Sequence, residues 1–418
     1  MKINIVRGVL SFVSVLVLII LVRPAVSEHY ESLFLKGKKE GAAIAAAVTS
    51  ENAGYNRALG AVYLERHGDS DLKTAEALFK KAISLEPLNS DSWLWLARMY
   101  QWTGRQQQAG LAIKSALARS AGAPDITWDA GVLLLQMDYT AAGVEQFRKY
   151  ILLKPAEQQK VYDICITLGL PPDYMQANLV PAERPYLRQW LYFLMDAGQQ
   201  EAAGRAWEAL KSLGGGAGKG PSEGDYLKYC DFLISKNNET DAIAVWNELF
   251  SRANLVLKPG SIWDGDFGLP VTGKGFGWRI GNAPGVRIFL DGDIKMRGQY
   301  SLSASFDGSS NPGINLASQI VPVEKGHKYE VSGYIKTSGI TTDNGIFLNV
   351  QGYNCAGLQA SSQPITGTSY WQKQSVDFTV PADCNAILFS VRRNESFKLD
   401  NKIRGDVWID SIKMADQG

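Results

Sequence analysis

Small and large apolar residues recur in this chain at a fixed spacing of 34: Ala75, Ala109 and Gly143; Phe79, Ile113 and Phe147; Ala97, Gly131 and Cys165. A period of that length marks a stacked-repeat architecture, because one unit cannot bury its own apolar face and needs neighbours to cover it. Within a unit the apolar positions follow the helical period. Trp93, Leu96, Ala97 and Tyr100 share one face of a first helix, and Ala109, Ile113 and Ala116 share one face of a second.

This pattern, closed by Pro87 and again by Pro155, resembles the tetratricopeptide repeat. Units run over about 51–87, 90–123 and 124–157, the first with a three-residue insertion around Gly68, Asp69, Ser70 and Asp71 that a longer turn absorbs. A fourth opens with Val161, Ile164, Cys165 and Leu168 before Pro171 and Pro172 interrupt it. Two more follow, one carrying Leu187, Leu191, Leu194, Ala203, Trp207 and Leu210, the other Tyr226, Tyr229, Cys230, Leu233, Ala242, Trp246 and Leu249. The solenoid spans 51–253, and the resemblance implies a concave groove that holds a protein partner. The glycine-rich run from Gly214 to Gly220 is not a phosphate loop. Leu213 stands where the first glycine of GxxxxGK[ST] belongs and Gly220 follows Lys219, so the run reads as a flexible linker.

The composition changes at about Asn254. Residues 28–253 hold 33 alanines and residues 254–418 only eight, and apolar residues turn from a helical period to alternation. The fold class is therefore multidomain α + β: an N-terminal α-solenoid followed by a C-terminal antiparallel β-sandwich of the jelly-roll kind over 254–418. Asp264, Gly265, Asp266 and Phe267, then Gly277 and Trp278, then Gly298, Tyr300, Ser301 and Leu302 resemble the carbohydrate-binding modules of families 4, 9 and 22. So do Gln319, Val321 and Val323 before Gly326 and Tyr329, the run from Val331 through Gly333 to Lys336, Trp371 before Phe378 and Pro381, and the closing Gly405, Val407, Trp408, Ile409 and Asp410. The resemblance implies that an outer sheet face binds a polysaccharide through flat rings and hydrogen-bonding side chains, and that Trp278, Trp371 and Trp408 are framework residues of the core.

Alternation selects the side chains for that face. With Val331 and Ile335 in the core, Tyr334 and Lys336 point outward; with Ile346, Leu348 and Val350 in the core, Phe347, Asn349, Gln351 and Tyr353 point outward; Arg392 does so beside Val391. Rings cover the apolar faces of sugars, and amides with a guanidinium read their hydroxyls. By the same resemblance Asp410 occupies a position that helps hold a structural calcium, with Asp266 placed to assist. Gly268 stands where many relatives carry a glutamate, which removes one oxygen from a cation that takes six to eight.

At the N-terminus Lys2 and Arg7 precede an uncharged apolar run from Gly8 to Val22, and Ala25 and Ser27 supply the small residues that a signal peptidase reads. Residues 1–27 are thus a signal peptide, or a signal anchor if retained in the inner membrane, followed by a linker or helix over 28–50. The chain is expected in the periplasm or cell envelope. In that oxidising setting Cys355 and Cys384, near strand ends of one domain, are expected to pair, with Cys165 and Cys230 left as buried thiols. The balance of 43 basic and 42 acidic residues gives no field to gather nucleic acid. Three scattered histidines and the absence of HExxH and GxSxG leave no material for hydrolase chemistry, so no catalytic residue and no cofactor beyond calcium is expected. The expected function is a non-catalytic envelope adaptor joining a protein partner to a polysaccharide, with a purely protein-binding scaffold as the alternative.

Overall fold

The computed structural model describes residues 51–66, 68–214, 220–399 and 401–418. The expected export segment at 1–27, the linker at 28–50 and most of the glycine-rich run lie outside the described residues. Twelve α-helices come first among the described residues, then ten strands in two antiparallel sheets. The chain divides into two compact units, one running to Phe193 and one from Leu194 onward.

In the first unit α1 (Ala53–Arg66) pairs with α2 (Asp69–Leu85), α3 (Ser90–Trp102) with α4 (Gln106–Arg119), and α5 (Pro124–Gln136) with α6 (Thr140–Leu153). The repeated small positions lie at the helix crossings. Ala75, Ala97 and Ala109 are wholly buried, and a side chain on Gly143 would begin 2.7 Å from Leu135 and 3.1 Å from the Gly131 carbonyl. Phe79, Ile113 and Phe147 fill the space beside them. The fourth unit is degenerate: α7 (Gln158–Thr167) is followed by the seven-residue α8 (Pro172–Asn178), which Pro172 can start but which ends within two turns. The α9 helix (Arg184–Asp196) then begins, its Trp190 ring stacked on Phe193 and edge-on to Tyr162.

Polar contacts lock the register of the first pairs. Glu76 on α2 receives Arg105 at 2.9 Å and Lys80 at 2.8 Å, and the Tyr100 hydroxyl donates to it. Partial burial opposes its ionisation, but these donors overcome it and lower the Glu76 carboxyl to about 2.

The second unit holds α10 (Gln200–Ser212), α11 (Glu223–Ser235), α12 (Glu239–Phe250) and the sandwich. Ser222 and Asp225 form a reciprocal capping box at the start of α11. The first sheet has the order β1 (Arg279–Ile280), β4 (Ile314–Pro322), β9 (Ala386–Arg393), β6 (Phe347–Gly352), β7 (Gln359–Ser361). The second has the order β2 (Val286–Asp291), β3 (Ser301–Asp307), β10 (Arg404–Asp416), β5 (Lys328–Ile340), β8 (Gly367–Thr379). Between them lies one apolar core that includes Trp278, Val331, Ile335, Leu348, Val350, Phe389, Val391 and Ile409.

The last helical pair is stapled to this sandwich. The fully buried Trp246 of α12 meets Trp263 edge-on at 5.3 Å and Phe276 edge-on at 5.9 Å. Gly275 passes so near the Trp246 ring that a side chain would start 2.4 Å from it, and its φ of +56° is a second reason for glycine there. Asp231 of α11 accepts the Gly275 N–H at 2.7 Å and Arg279 at 3.2 Å, while the Asn247 amide both donates to and accepts from the Leu257 backbone.

Two outcomes follow from these contacts. Because the folded Glu76 titrates far below its ordinary 4.5, its contribution is complete above that pH and disappears as the pH falls toward about 2; urea midpoints of the helical transition should lose part of that acid dependence in Glu76→Gln. Trp246→Ala should cost about 3–5 kcal/mol and expose the connection after α12, so trypsin should cut after Arg252 much faster than in the parent chain; equal rates would contradict the staple.

Candidate functional site

On the outer face of the first sheet the strand pairing sets side chains in rows. Asn315, Arg392 and Phe347 lie in register across β4, β9 and β6; the next row is Ser318, Ser390, Asn349 and Ser361; the third joins Leu388, Gln351 and Gln359. Leu348 and Val350 go inward on the same strand, so period-two geometry alone delivers Phe347, Asn349 and Gln351 to the outside. These side chains line an open cleft of about 480 Å³, together with Arg392, Asn344 and Asn394, the β7 side chains and the segment Ser362–Pro364.

The floor and part of the rim are hydrogen-bonded. Asn349, 2% exposed, accepts from the Gln359 amide at 2.7 Å and donates to Ser390 at 3.5 Å. Ser362 Oγ accepts the Leu348 N–H at 3.0 Å, which holds the segment after β7 against β6. Arg392 Nε donates to Asn394 Oδ1 at 2.9 Å. The neighbouring Arg393 faces the other way and is fully buried, donating to the Pro312 carbonyl at 2.6 Å and to Asn311 Oδ1 at 2.9 Å. It ties the 311–312 loop to the end of β9, where the cleft side chains Arg392 and Asn394 sit. The α11–α12 hairpin touches the opposite end of these strands, through Asn237 to Asn354, and leaves the cleft open.

Four of the expected residues, Phe347, Asn349, Gln351 and Arg392, come together here. Three do not. Tyr334 and Lys336 do point outward, but β5 belongs to the second sheet, so they occupy the opposite side of the sandwich. There Lys336 Nζ lies 5.4 Å from the Trp408 ring and 5.7 Å from the exposed Tyr370 ring. Tyr353 follows the end of β6 at Gly352, pairs by its N–H with the Ala386 carbonyl and does not line the cleft. Phe347 is consequently the single aromatic ring lining it, and the expected floor of flat rings is replaced by amides and hydroxyls. Of the three tryptophans assigned to the core only Trp278 is buried; Trp371 and Trp408 are half-exposed, because Val407 and Ile409 take the inward positions of β10. The amides of Asn344, Gln359, Gln363 and Asn394 were not selected from sequence, since they sit on loops and on a three-residue strand without periodicity.

The expected calcium site does not fit its residues. Asp410 Oδ2 accepts the N–H groups of Met296 at 2.6 Å and Arg297 at 3.0 Å, and Oδ1 accepts that of Ser411 at 2.6 Å. Three backbone donors thus engage both of its oxygens. Asp264 is similarly closed by the N–H groups of Gly268 and Leu269, yet burial outweighs those donors and holds its carboxyl above the ordinary range. Asp266 keeps one buried oxygen without a partner, but no group of three acidic, histidine or cysteine side chains is placed to hold a metal among the described residues.

In the first unit α1, α3 and α5 line a second cavity of about 380 Å³, with Leu64, Gln101, Trp102 and Leu133 around the Arg98–Asp129 ion pair of 2.6 Å. No helix among the described residues is long and apolar enough to cross a membrane.

The tetratricopeptide-repeat family model matches residues 78–114, the end of α2, all of α3 and most of α4. No curated protein matches the chain in sequence. Among solved structures, the chain is similar to the CBM22-1 xylan-binding domain of Paenibacillus barcinonensis Xyn10C, at 13% identity over 39% of this chain and 97% of that one, with a TM-score of 0.26. A family 16 carbohydrate-binding module is 18% identical over 37% of this chain and 98% of that one, with a TM-score of 0.27. PilF of Pseudomonas aeruginosa is 15% identical over 56% of this chain and 94% of that one, with a TM-score of 0.30. These values speak to neither ligand nor role.

Cys355 and Cys384 form a disulfide with Cα atoms 5.4 Å apart, while Cys165 and Cys230 are free and buried. Burial pushes the Cys165 thiol up to about 12, which leaves it inert at neutral pH. The bond closes a separation of 29 residues and clamps the end of β6 to the turn before β9. Cys355→Ser should therefore lower sandwich stability by about 3–4 kcal/mol, read by pulse proteolysis in urea, and dithiothreitol should reproduce the loss in the parent chain; an unmoved midpoint would remove the clamp from this account.

Proposed function

We propose that the protein is a non-catalytic adaptor of the cell envelope, whose sandwich binds a polysaccharide in the cleft of the first sheet and whose repeats dock a protein partner. One observation carries this reading: an open cleft on a rigid sheet, lined almost wholly by amide, hydroxyl and guanidinium groups with a single ring, and holding no nucleophile–base pair. Such a surface matches the alternating donors and acceptors of sugar hydroxyls and supplies nothing with which to break a glycosidic bond. The repeat groove supports the second half, because stacked helical pairs present an extended surface on which Trp102 and Leu64 lie beside a charged pair.

The apolar segment of residues 8–22 and the Cys355–Cys384 bond both favour export to an oxidising compartment, with the N-terminus either removed or kept in the inner membrane. A role in assembling exopolysaccharide or another surface polymer fits an exported chain of this architecture. The alternative is a scaffold whose sandwich binds no sugar and only caps the helices. The staple around Trp246 favours it, since it gives the sandwich a structural task.

Affinity electrophoresis of the exported protein through gels containing single polysaccharides separates the two. Retardation by at least one polymer, reduced about tenfold or more in Asn349→Ala and Gln351→Ala but unchanged in Tyr334→Ala, is the expected result. No retardation in any gel would leave the scaffold.

A further inference from the structure

We propose that the polysaccharide taken by this cleft is acidic, a polymer whose sugars carry carboxylates, and that Arg392 is the residue that selects it. The inference rests on the cleft being the glycan site and adds the charge of the ligand. No lining residue is acidic, and Arg392 is the one that carries a formal charge. Its Nε is engaged by Asn394, and no hydrogen bond or ion pair is formed by its two terminal nitrogens among the described residues. An arginine held by one edge with its other edge open is arranged for the two parallel hydrogen bonds that a carboxylate accepts. Neutral sugar hydroxyls satisfy such an edge less well, and the surrounding amides already supply neutral recognition.

The neighbouring acidic groups do not cancel this charge. Asp343 is spent on Lys398 at 2.8 Å and on the Ser396 hydroxyl at 2.9 Å. Glu395 lies with its side chain beside Gly313, and only its backbone carbonyl reaches a lining residue, Asn344. The buried Arg393 on the other face of β9 gives its hydrogen bonds to carbonyl, amide and hydroxyl oxygens, and the nearby carboxylates of Glu395 and Asp343 act on its charge and not on a cleft residue. Beside Arg392 in the pairing register, Phe347 lines the cleft with the 9% of its surface that stays exposed, a narrow apolar strip next to the guanidinium. The cleft lining carries the positive charge of Arg392 and no acidic group, in a half-enclosed polar setting where screening by water is weaker than on an open surface.

The test uses the full exported chain on alginate, polygalacturonate and hyaluronan, each beside its carboxyl-reduced, neutral counterpart. At least one acidic polymer should be retained ten times more strongly than its reduced form, and that preference should fall about tenfold in Arg392→Gln and weaken in high salt, while Lys336→Gln on the opposite sheet leaves it unchanged. An unaltered melting temperature of Arg392→Gln keeps the result from being one of folding. Equal retention of acidic and reduced polymers overturns the charge selection yet preserves the cleft as a glycan site. Acidic retention that survives Arg392→Gln, or that is lost in Lys336→Gln, places selection elsewhere and also overturns it. Retention of none of the six overturns both this inference and the reading on which it rests.

Discussion

The cleft depends on the pairing of β6 with β9 in one register. Leu348, Val350, Phe389 and Val391 are wholly buried on the core side, and each contributes roughly 1.5–3 kcal/mol by leaving water. A slip by one residue would exchange them for Asn349, Gln351, Ser390 and Arg392, placing amides and a charge in the core. That penalty makes the outward set as well determined as the inward one. The ends of the pair are held as well, by the Cys355–Cys384 bond on one side and by the buried Arg393 on the other. A face so fixed would lose little entropy on meeting a ligand.

The helical part obeys a different constraint, the distance at which two helices can cross. Alanine, glycine and cysteine recur at the crossings because anything larger would meet the facing helix, as the contact of Gly143 with Leu135 makes plain. The same logic accounts for Cys165 and Cys230, which serve as small buried residues and not as a redox pair. At the last pair this packing continues into the sandwich. Trp246 stands at the core position that a further repeat would otherwise cover, and Trp263 and Phe276 cover it instead. The sandwich thereby supplies the cap that an array of repeats requires at its end.

Much of the site was legible in the strand run from Ile346 to Gln351, where alternation separates core from surface without further help. The same reasoning placed Tyr334 and Lys336 outward, and rightly, but alternation reports which side of its own sheet a residue takes and not which sheet the strand joins. Only the order of strands reveals that β5 lies beside β10 and β8 and not beside β6. Tyr353 fell out because the strand stops at Gly352, one residue earlier than its pattern. Trp408 is instructive in another way. Its neighbours Val407 and Ile409 already marked it as outward, and a resemblance to framework positions elsewhere displaced that local evidence. Asn344, Gln359 and Asn394 carry no periodic signal, since loops and very short strands have none.

What the amino-acid sequence settled by itself was everything that periodicity can encode. A spacing of 34 with small residues at the crossings admits stacked helical pairs, and alternation after Asn254 admits a sandwich, because those periods decide which face of each element leaves water. Tertiary structure alone decided which faces meet. It brought β4, β9, β6 and β7 into one sheet, divided the outward residues between two sides of the sandwich, gave the carboxylate of Asp410 to backbone donors, and set Trp246 against Trp263. Those choices depend on long-range strand order and packing, which residues distant in the chain settle together and which no local pattern records.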